Sequence, residues 1–162
     1  MKFFVFFFLA TASLCAEKIG PVSYQMPTTA GTWVIGQRTE NEDGTTILYI
    51  PEGIEKKEAK EFFGVNVNKY PTNVNDLGPL KEGLSVMMPL AKIEVWSLEK
   101  SKNDILYEWK ATVDGKEKLH GWGRGFSLKE GTVLIGYQAD SNVSMEYAIN
   151  TWLPVLKQAK IN

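Results

Sequence analysis

The sequence predicts an α+β fold: a twisted antiparallel sheet of about five to seven strands, packed by a long C-terminal helix and smaller helices. Three observations carry this. Between Lys92 and Ala139, alternating segments rich in Val, Ile, Tyr and Trp are separated by short turn signals. A further strand pair flanks the turn at Asp43-Gly44. After Asp140 the apolar residues change from period two to helical spacing.

The 162 residues, 44% hydrophobic and 23% charged, suit one globular domain with a core that needs no disulfide staples. Residues 1–16 are expected to be a signal peptide rather than part of that domain. Met1-Lys2 is a short positive start, Phe3 to Leu9 is a dense apolar run, and ATASLCA supplies small residues. The run is far shorter than the ~20 residues that span a bilayer. Cleavage is expected after Ala16 or, on the Ala10-Thr11-Ala12 pattern, after Ala12. Lipidation at Cys15 is the lesser option, because Leu14 stands where that processing wants a small residue. Cleavage after Ala16 removes the only cysteine, and with it disulfides, thiol catalysis and Cys-based metal sites. The expectation is an exported protein, periplasmic or secreted, with an outer-membrane lipoprotein less favoured, and a bacterial source fits such a cysteine-free chain.

Residues 17–32 carry two prolines and two glycines without a period, and read as an extended N-terminal arm. A single α+β domain follows over 33–162. Trp33 to Thr39 and Thr45 to Ile50 form the first strand pair. Glu52 to Phe63 is charged, with Ile54, Ala59, Phe62 and Phe63 available for one helical face, so a short amphipathic helix is expected there. Gly64 to Tyr70 alternates as a strand or extended link, and Pro71 to Pro79 is a loop. Leu80, Leu84, Met87 and Met88 predict a helix over about 79–88, with Pro79 in its first turn and Pro89 ending it.

Four strands come next: Lys92–Lys100, Ile105–Val113 with Tyr107 and Trp109 on one face, Leu119–Leu128, and Thr132–Ala139. Asp114-Gly115 and Glu130-Gly131 mark turns between them. The last helix is expected to be capped by Asp140 or Ser141 and to bury Met145, Ala148, Ile149, Trp152, Leu156 and Ala159. Pro154 inside it removes a backbone donor, which predicts a kink near Thr151.

The segment Gly121-Trp122-Gly123-Arg124-Gly125 contains one of two arginines and follows the only histidine, His120. A dinucleotide loop would place its third glycine one residue later and lead into a helix. Here a strand fits better. Its three glycines share one face, and His120, Trp122, Arg124, Phe126 and Leu128 share the other. Bare backbone of this kind implies a close approach by something bulky, for which the C-terminal helix with Trp152 is the expected neighbour.

The opposite face holds the candidate ligand or partner site: His120, Trp122 and Arg124, supported by Glu108 and Arg38. Arginine can grip a carboxylate at two points and tryptophan offers a stacking surface. The plainer alternative has Trp122 and Phe126 in the core, Arg124 paired with a carboxylate, and His120 at the surface.

Other chemistry has little support. One histidine leaves little for a nucleophilic triad or a His-based zinc site, and no G-x-S-x-G elbow is present. No catalytic residue, metal ligand or cofactor is assigned. The net charge of −1, with lysines scattered among acids, gives no basic excess for nucleic acid.

The run Leu48-Tyr49-Ile50-Pro51-Glu52-Gly53, the strand opened by Trp33, the Tyr107-Glu108-Trp109 strand, Arg124, Tyr137, and the helix with Trp152 and Leu156 together carry a resemblance. Over about residues 31–161 the chain resembles small exported bacterial proteins of unassigned function with a PsbP-like fold. The resemblance implies a non-enzymatic binding or assembly role. The expected function is therefore an exported binding or accessory protein, in one form virulence-associated, with an unidentified protein or small-molecule partner. The alternative is a small hydrolase using paired carboxylates on cell-wall or host glycans.

Overall fold

The computed structural model describes residues 17–162. The expected signal peptide, its cleavage points and Cys15 lie outside the described residues.

Strands β1 (Glu17–Ile19) and β2 (Val22–Tyr24) and a single 3-10 turn at Thr28–Ala30 come first. Then follow β3 (Trp33–Glu40), β4 (Gly44–Pro51), β5 (Glu61–Asn68), α1 (Gly78–Met87), β6 (Lys92–Lys100), β7 (Asp104–Val113), β8 (Lys116–Leu128) and β9 (Gly131–Asp140). Helix α2 (Met145–Gln158) and β10 (Lys160–Ile161) end the chain. Seven strands form one antiparallel sheet in the order β3-β4-β5-β9-β8-β7-β6. A small second sheet has the order β1-β2-β10. The α+β class and the antiparallel sheet are as the sequence predicts.

Local chemistry sets the hairpins. Asn41 Oδ1 accepts from the backbone N–H of Asp43 and of Gly44, each at 3.0 Å, and so closes the β3–β4 turn. Asp114 and Gly115 both adopt positive φ, 51° and 72°, the backbone twist a two-residue hairpin requires between β7 and β8.

Each face of the large sheet has its own cover. Helix α2 and strand β2 lie on one face, where Trp152 is fully buried. Its ring stacks on Tyr137 at 4.7 Å and on Phe63 at 5.0 Å, and meets Trp33 edge-on at 4.6 Å. Helix α1 and the segment leading into it cover part of the other face, packing Val74 and Leu84 against Ile93, Ile105, Tyr107, Trp109 and Ala111.

Several expectations are corrected. Residues 52–60 form turns rather than a helix, and Phe62 and Phe63 belong to β5. Phe63 is drawn into the strand by its stacking on Trp152 and its pairing with Tyr137, contacts that helical periodicity cannot anticipate. The N-terminal arm is extended, but it is folded in: Val22 and Tyr24 are core residues and β2 pairs with β10. The cap of α2 is Ser144, whose Oγ accepts from Tyr147 N, while Asp140 Oδ1 accepts from Asn142 N within the preceding turn. The buried stripe of α2 includes Val155, whereas Met145 and Ile149 are exposed. The helix spans Pro154, whose ring faces outward. Met87 of α1 is also largely exposed.

The largest correction concerns the glycines of β8. They face α1, and α2 lies on the opposite face. At Gly121 and Gly123 the bulky neighbours are side chains of the adjacent strand β7, and at Gly125 they are Leu134 of β9 and Val74 ahead of α1. A methyl built on Gly121 would lie 2.6 Å from Trp109 Cε2, and one on Gly123 would lie 2.8 Å from Tyr107 Cε2. The close approach exists, but at Gly121 and Gly123 rings from β7 supply it.

Candidate functional site

The sequence-predicted cluster divides in the structure. On the α2 face, Glu108 of β7 and Trp122 of β8 stand directly across from each other, with His120 two residues earlier in β8. His120 is not a free surface residue, since its side chain is only 12% exposed. Its Nε2 lies 2.5 Å from Glu108 Oε1 and its Nδ1 lies 3.1 Å from Glu117 Oε1. The ring stacks on Trp122 at 4.6 Å and meets Trp96 edge-on at 6.4 Å. Both ring nitrogens are thus occupied by carboxylates, and neither faces a hydroxyl nucleophile. This cluster ties β6, β7 and β8 together.

Arg124 shares this face but has another task. One terminal nitrogen donates to the carbonyls of Leu156 and Lys157, at 3.3 and 2.6 Å, and the other donates to Asp104 at 3.1 Å. It therefore holds the C-terminal end of α2 against the sheet, where unpaired helix carbonyls favour a cation. Arg38 is not brought to the cluster. It lies exposed on β3, separated from β8 by the three strands β4, β5 and β9, and pairs with Glu40. A smaller cavity of about 380 Å³ lies beside His120, between the 140–144 turn and the start of α2.

The larger cavity, about 730 Å³, is on the other face. Its shape follows from a row of residues running across the sheet: Leu48, Gly64, Gly136, Gly123 and Tyr107, each paired with the next on adjacent strands. At about 4.8 Å per strand the row spans about 19 Å. Three consecutive glycines lower its middle by the depth of a side chain. The row on one side carries Asn66, Leu134 and Ile105, and the row on the other carries Phe62, Gln138 and Trp109. The result is a trench with an apolar lining, roofed at the Tyr107 end by Leu80 and Leu84 of α1.

Only part of the glycine row is occupied. The ring of Tyr107 covers Gly123 and closes one end of the trench. A methyl built on Gly64 would have ordinary contacts at 3.8 Å, with Ile47 O and Leu48 Cδ1, and one on Gly136 would meet backbone atoms alone. These two glycines form the open floor.

Polarity is arranged along the trench. Thr46, Asn66, Asn68 and Gln138 stand towards the β4–β5–β9 side, and Asn66 donates to Thr46 Oγ1 at 2.7 Å. The charged lining residues, Lys56 and Asp76, are both exposed. Lys56 donates to Gln37, and Asp76 Oδ1 accepts from Gly78 N. Tyr107 and Trp109 are 6% and 5% exposed. Among the described residues, neither the phenol nor the indole N–H has a hydrogen-bond partner. Burial pushes the Tyr107 hydroxyl up to about 12, so it is a proton donor throughout the physiological range. Burial, followed by the hydrogen bond to Glu61, also raises Tyr137 on the opposite face.

The sequence reading missed this site. Alternation puts Tyr107 and Trp109 on a common face, and a groove that Tyr107 could share with His120, Trp122 and Arg124 is the expectation, whereas Tyr107 lines the cavity on the opposite face of the sheet. The available signal was Gly64 and Gly136, isolated glycines in otherwise well-formed strands, which mark places where something comes close to the backbone.

Among the described residues, no three His, Cys, Asp or Glu side chains are grouped to hold a metal ion. No helix among them is long and apolar enough to cross a membrane.

No family model and no curated protein matches the chain. Among solved structures, the chain is similar to the solution structure of cyanobacterial PsbP (CyanoP) from Synechocystis sp. PCC 6803. The match covers 88% of this chain and 87% of that one, with a TM-score of 0.57 at 9% sequence identity. The chain has a PsbP-like fold.

Proposed function

We propose that this chain is an exported, non-catalytic accessory protein that works by binding, and that the trench between α1 and the sheet is its binding site. The observation that carries this reading is the open floor at Gly64 and Gly136 inside an apolar cavity of about 730 Å³. That volume falls within the roughly 300–1,000 Å³ usual for small-molecule sites, and the mix of apolar walls with a few polar groups is also usual there. The PsbP-like fold is compatible with an accessory role but does not by itself assign one.

The rival reading, a glycan hydrolase, needs two carboxylates flanking one bond. The trench offers one, Asp76, already engaged by Gly78 N. Glu108 and Glu117 do stand close to each other, but His120 lies between them.

Nile red, a neutral planar dye with a carbonyl oxygen, tests the proposal in wild type and in Gly64→Val. Valine suits a strand, and a side chain at this position would rise into the trench without displacing backbone. Saturable dye binding by the wild type, lost in a folded Gly64→Val protein, supports the reading. Absence of binding, or equal binding by the two, contradicts it. Export is tested separately by mass measurement of the mature N-terminus in cells, with cleavage after Ala12 or Ala16 expected. An intact Met1 would overturn that part.

A further inference from the structure

Resting on the reading of the trench as a binding site, we infer that its ligand class is a neutral, elongated apolar molecule with one terminal hydrogen-bond acceptor, a ketone or ester oxygen, which enters head first and meets the hydroxyl of Tyr107. Three features of the trench lead to this class.

The first is the chemistry of the closed end. Tyr107 is more than nine-tenths buried, lines the cavity, and has no hydrogen-bond partner among the described residues. The hydroxyl is not sealed off, since the fully buried side-chain atoms without a partner among the described residues belong to Asn75, Arg124 and Trp152, so an acceptor entering the cavity can reach it. One strand pleat away, the indole N–H of Trp109 is a second donor in the same condition. Indole nitrogen can only donate, so both groups are served by an acceptor.

The second is the placement of charge. The lining holds one cation, Lys56, and one anion, Asp76, both exposed and both already engaged. No charged lining residue is buried near Tyr107 and Trp109. A carboxylate head driven to that end would lose its hydration without a counter-charge, which disfavours free fatty acids relative to their esters.

The third is shape. Gly64 and Gly136 form a floor one row wide, bounded by Leu134 and Asn66 on one side and by Phe62 and Gln138 on the other. This suits a chain or a single flat ring laid across the strands. The polar side chains Thr46, Asn66 and Gln138 leave room for a second, hydrated end at the mouth.

Displacement of Nile red from the wild-type protein by methyl decanoate, decanoate and decane tests the inference. The chain is similar in all three, and the head is neutral acceptor, anion and none. The expected order is methyl decanoate best, with an advantage of about 2- to 10-fold over each of the others. In Tyr107→Phe the advantage over decane should collapse while decane itself is unchanged. Equal displacement by ester and alkane, a preference for decanoate, or an ester advantage that survives Tyr107→Phe would overturn the assignment of ligand class, leaving the binding site itself in place. Failure of Nile red to bind the wild type, or its undiminished binding by Gly64→Val, would instead remove the site and this inference together.

Discussion

The ring of Tyr107 lies across its neighbouring strand directly over Gly123, so near that a methyl group on Gly123 would come within 2.8 Å of Cε2 and closer still to the hydroxyl. The same strand repeats the arrangement two residues away, with Trp109 over Gly121. These rings take up space that side chains on β8 would otherwise fill, and they set where the trench ends.

Gly123→Ala should therefore be destabilising although alanine is the better residue in a regular strand. Overpacking at such a site costs about 1–3 kcal/mol, and the backbone here cannot give way without disturbing β7 and β9. Chemical denaturation measures this directly. Combining Gly123→Ala with Tyr107→Ala should cost less than the sum of the two single changes, because removal of the ring frees the space the methyl needs. Additive losses would mean that the ring does not make the position intolerant.

Alkaline titration reads the burial of the same phenol. Tyr107 keeps its proton in the folded chain to about pH 12, whereas an unfolded tyrosine ionises near its ordinary value of 10.0. Between those values the unfolded state has released a proton that the folded state retains. Stability thus falls with rising pH in this window, by about 1.4 kcal/mol per pH unit for each such tyrosine, and is unaffected by this group below it. Tyr137 adds to the fall in the same direction. Tyr107→Phe should make the decline shallower above pH 10 and leave stability near pH 7 unchanged or slightly higher, since it removes a hydroxyl with no partner. An unchanged alkaline slope would show the phenol to be water-exposed.

Arg124 is predicted to matter for stability and not for binding. It donates to the last carbonyls of α2 and to Asp104, and its side chain is 18% exposed. Arg124→Ala should cost about 1.5–3 kcal/mol, the range for hydrogen bonds to charged groups, and leave Nile red affinity unaltered in the folded fraction. Arg124→Lys should recover only part of the loss, because one ammonium cannot reproduce a planar fork serving both the helix end and Asp104. Loss of dye affinity at full stability would return Arg124 to the ligand site.

The strands were largely legible because alternation survives in the sequence: Ile93 and Val95 in β6, Tyr107 and Trp109 in β7, and the turn pair Asp114-Gly115 all lie where their period places them. Phe62 and Phe63 were misread because four apolar residues in a charged stretch fit a helical face equally well, and only the distant rings of Trp152 and Tyr137 decide the matter. Period two put Gly121, Gly123 and Gly125 on one face but could not say which layer that face meets. The trench stayed hidden for a related reason. The glycine row beneath it joins Gly64 and Gly136, which form the floor, to Gly123 under the Tyr107 ring, and β5 reaches β9 only across a long stretch of chain. No local pattern links those positions. The His120 cluster was partly visible, since Glu108 and Trp122 were expected near it, but Glu117 as the second carboxylate and Arg38 as an absent member needed the register.

The most direct test of the account is an amide chemical-shift map of the isotopically labelled protein titrated with methyl decanoate. The account predicts saturable shifts concentrated at Gly64, Gly136 and Gly123, with further changes at Leu84 and Leu134 around the trench. Shifts gathered instead around His120 and the 140–144 turn, beside the smaller cavity, or no shifts at saturating ester, would contradict it.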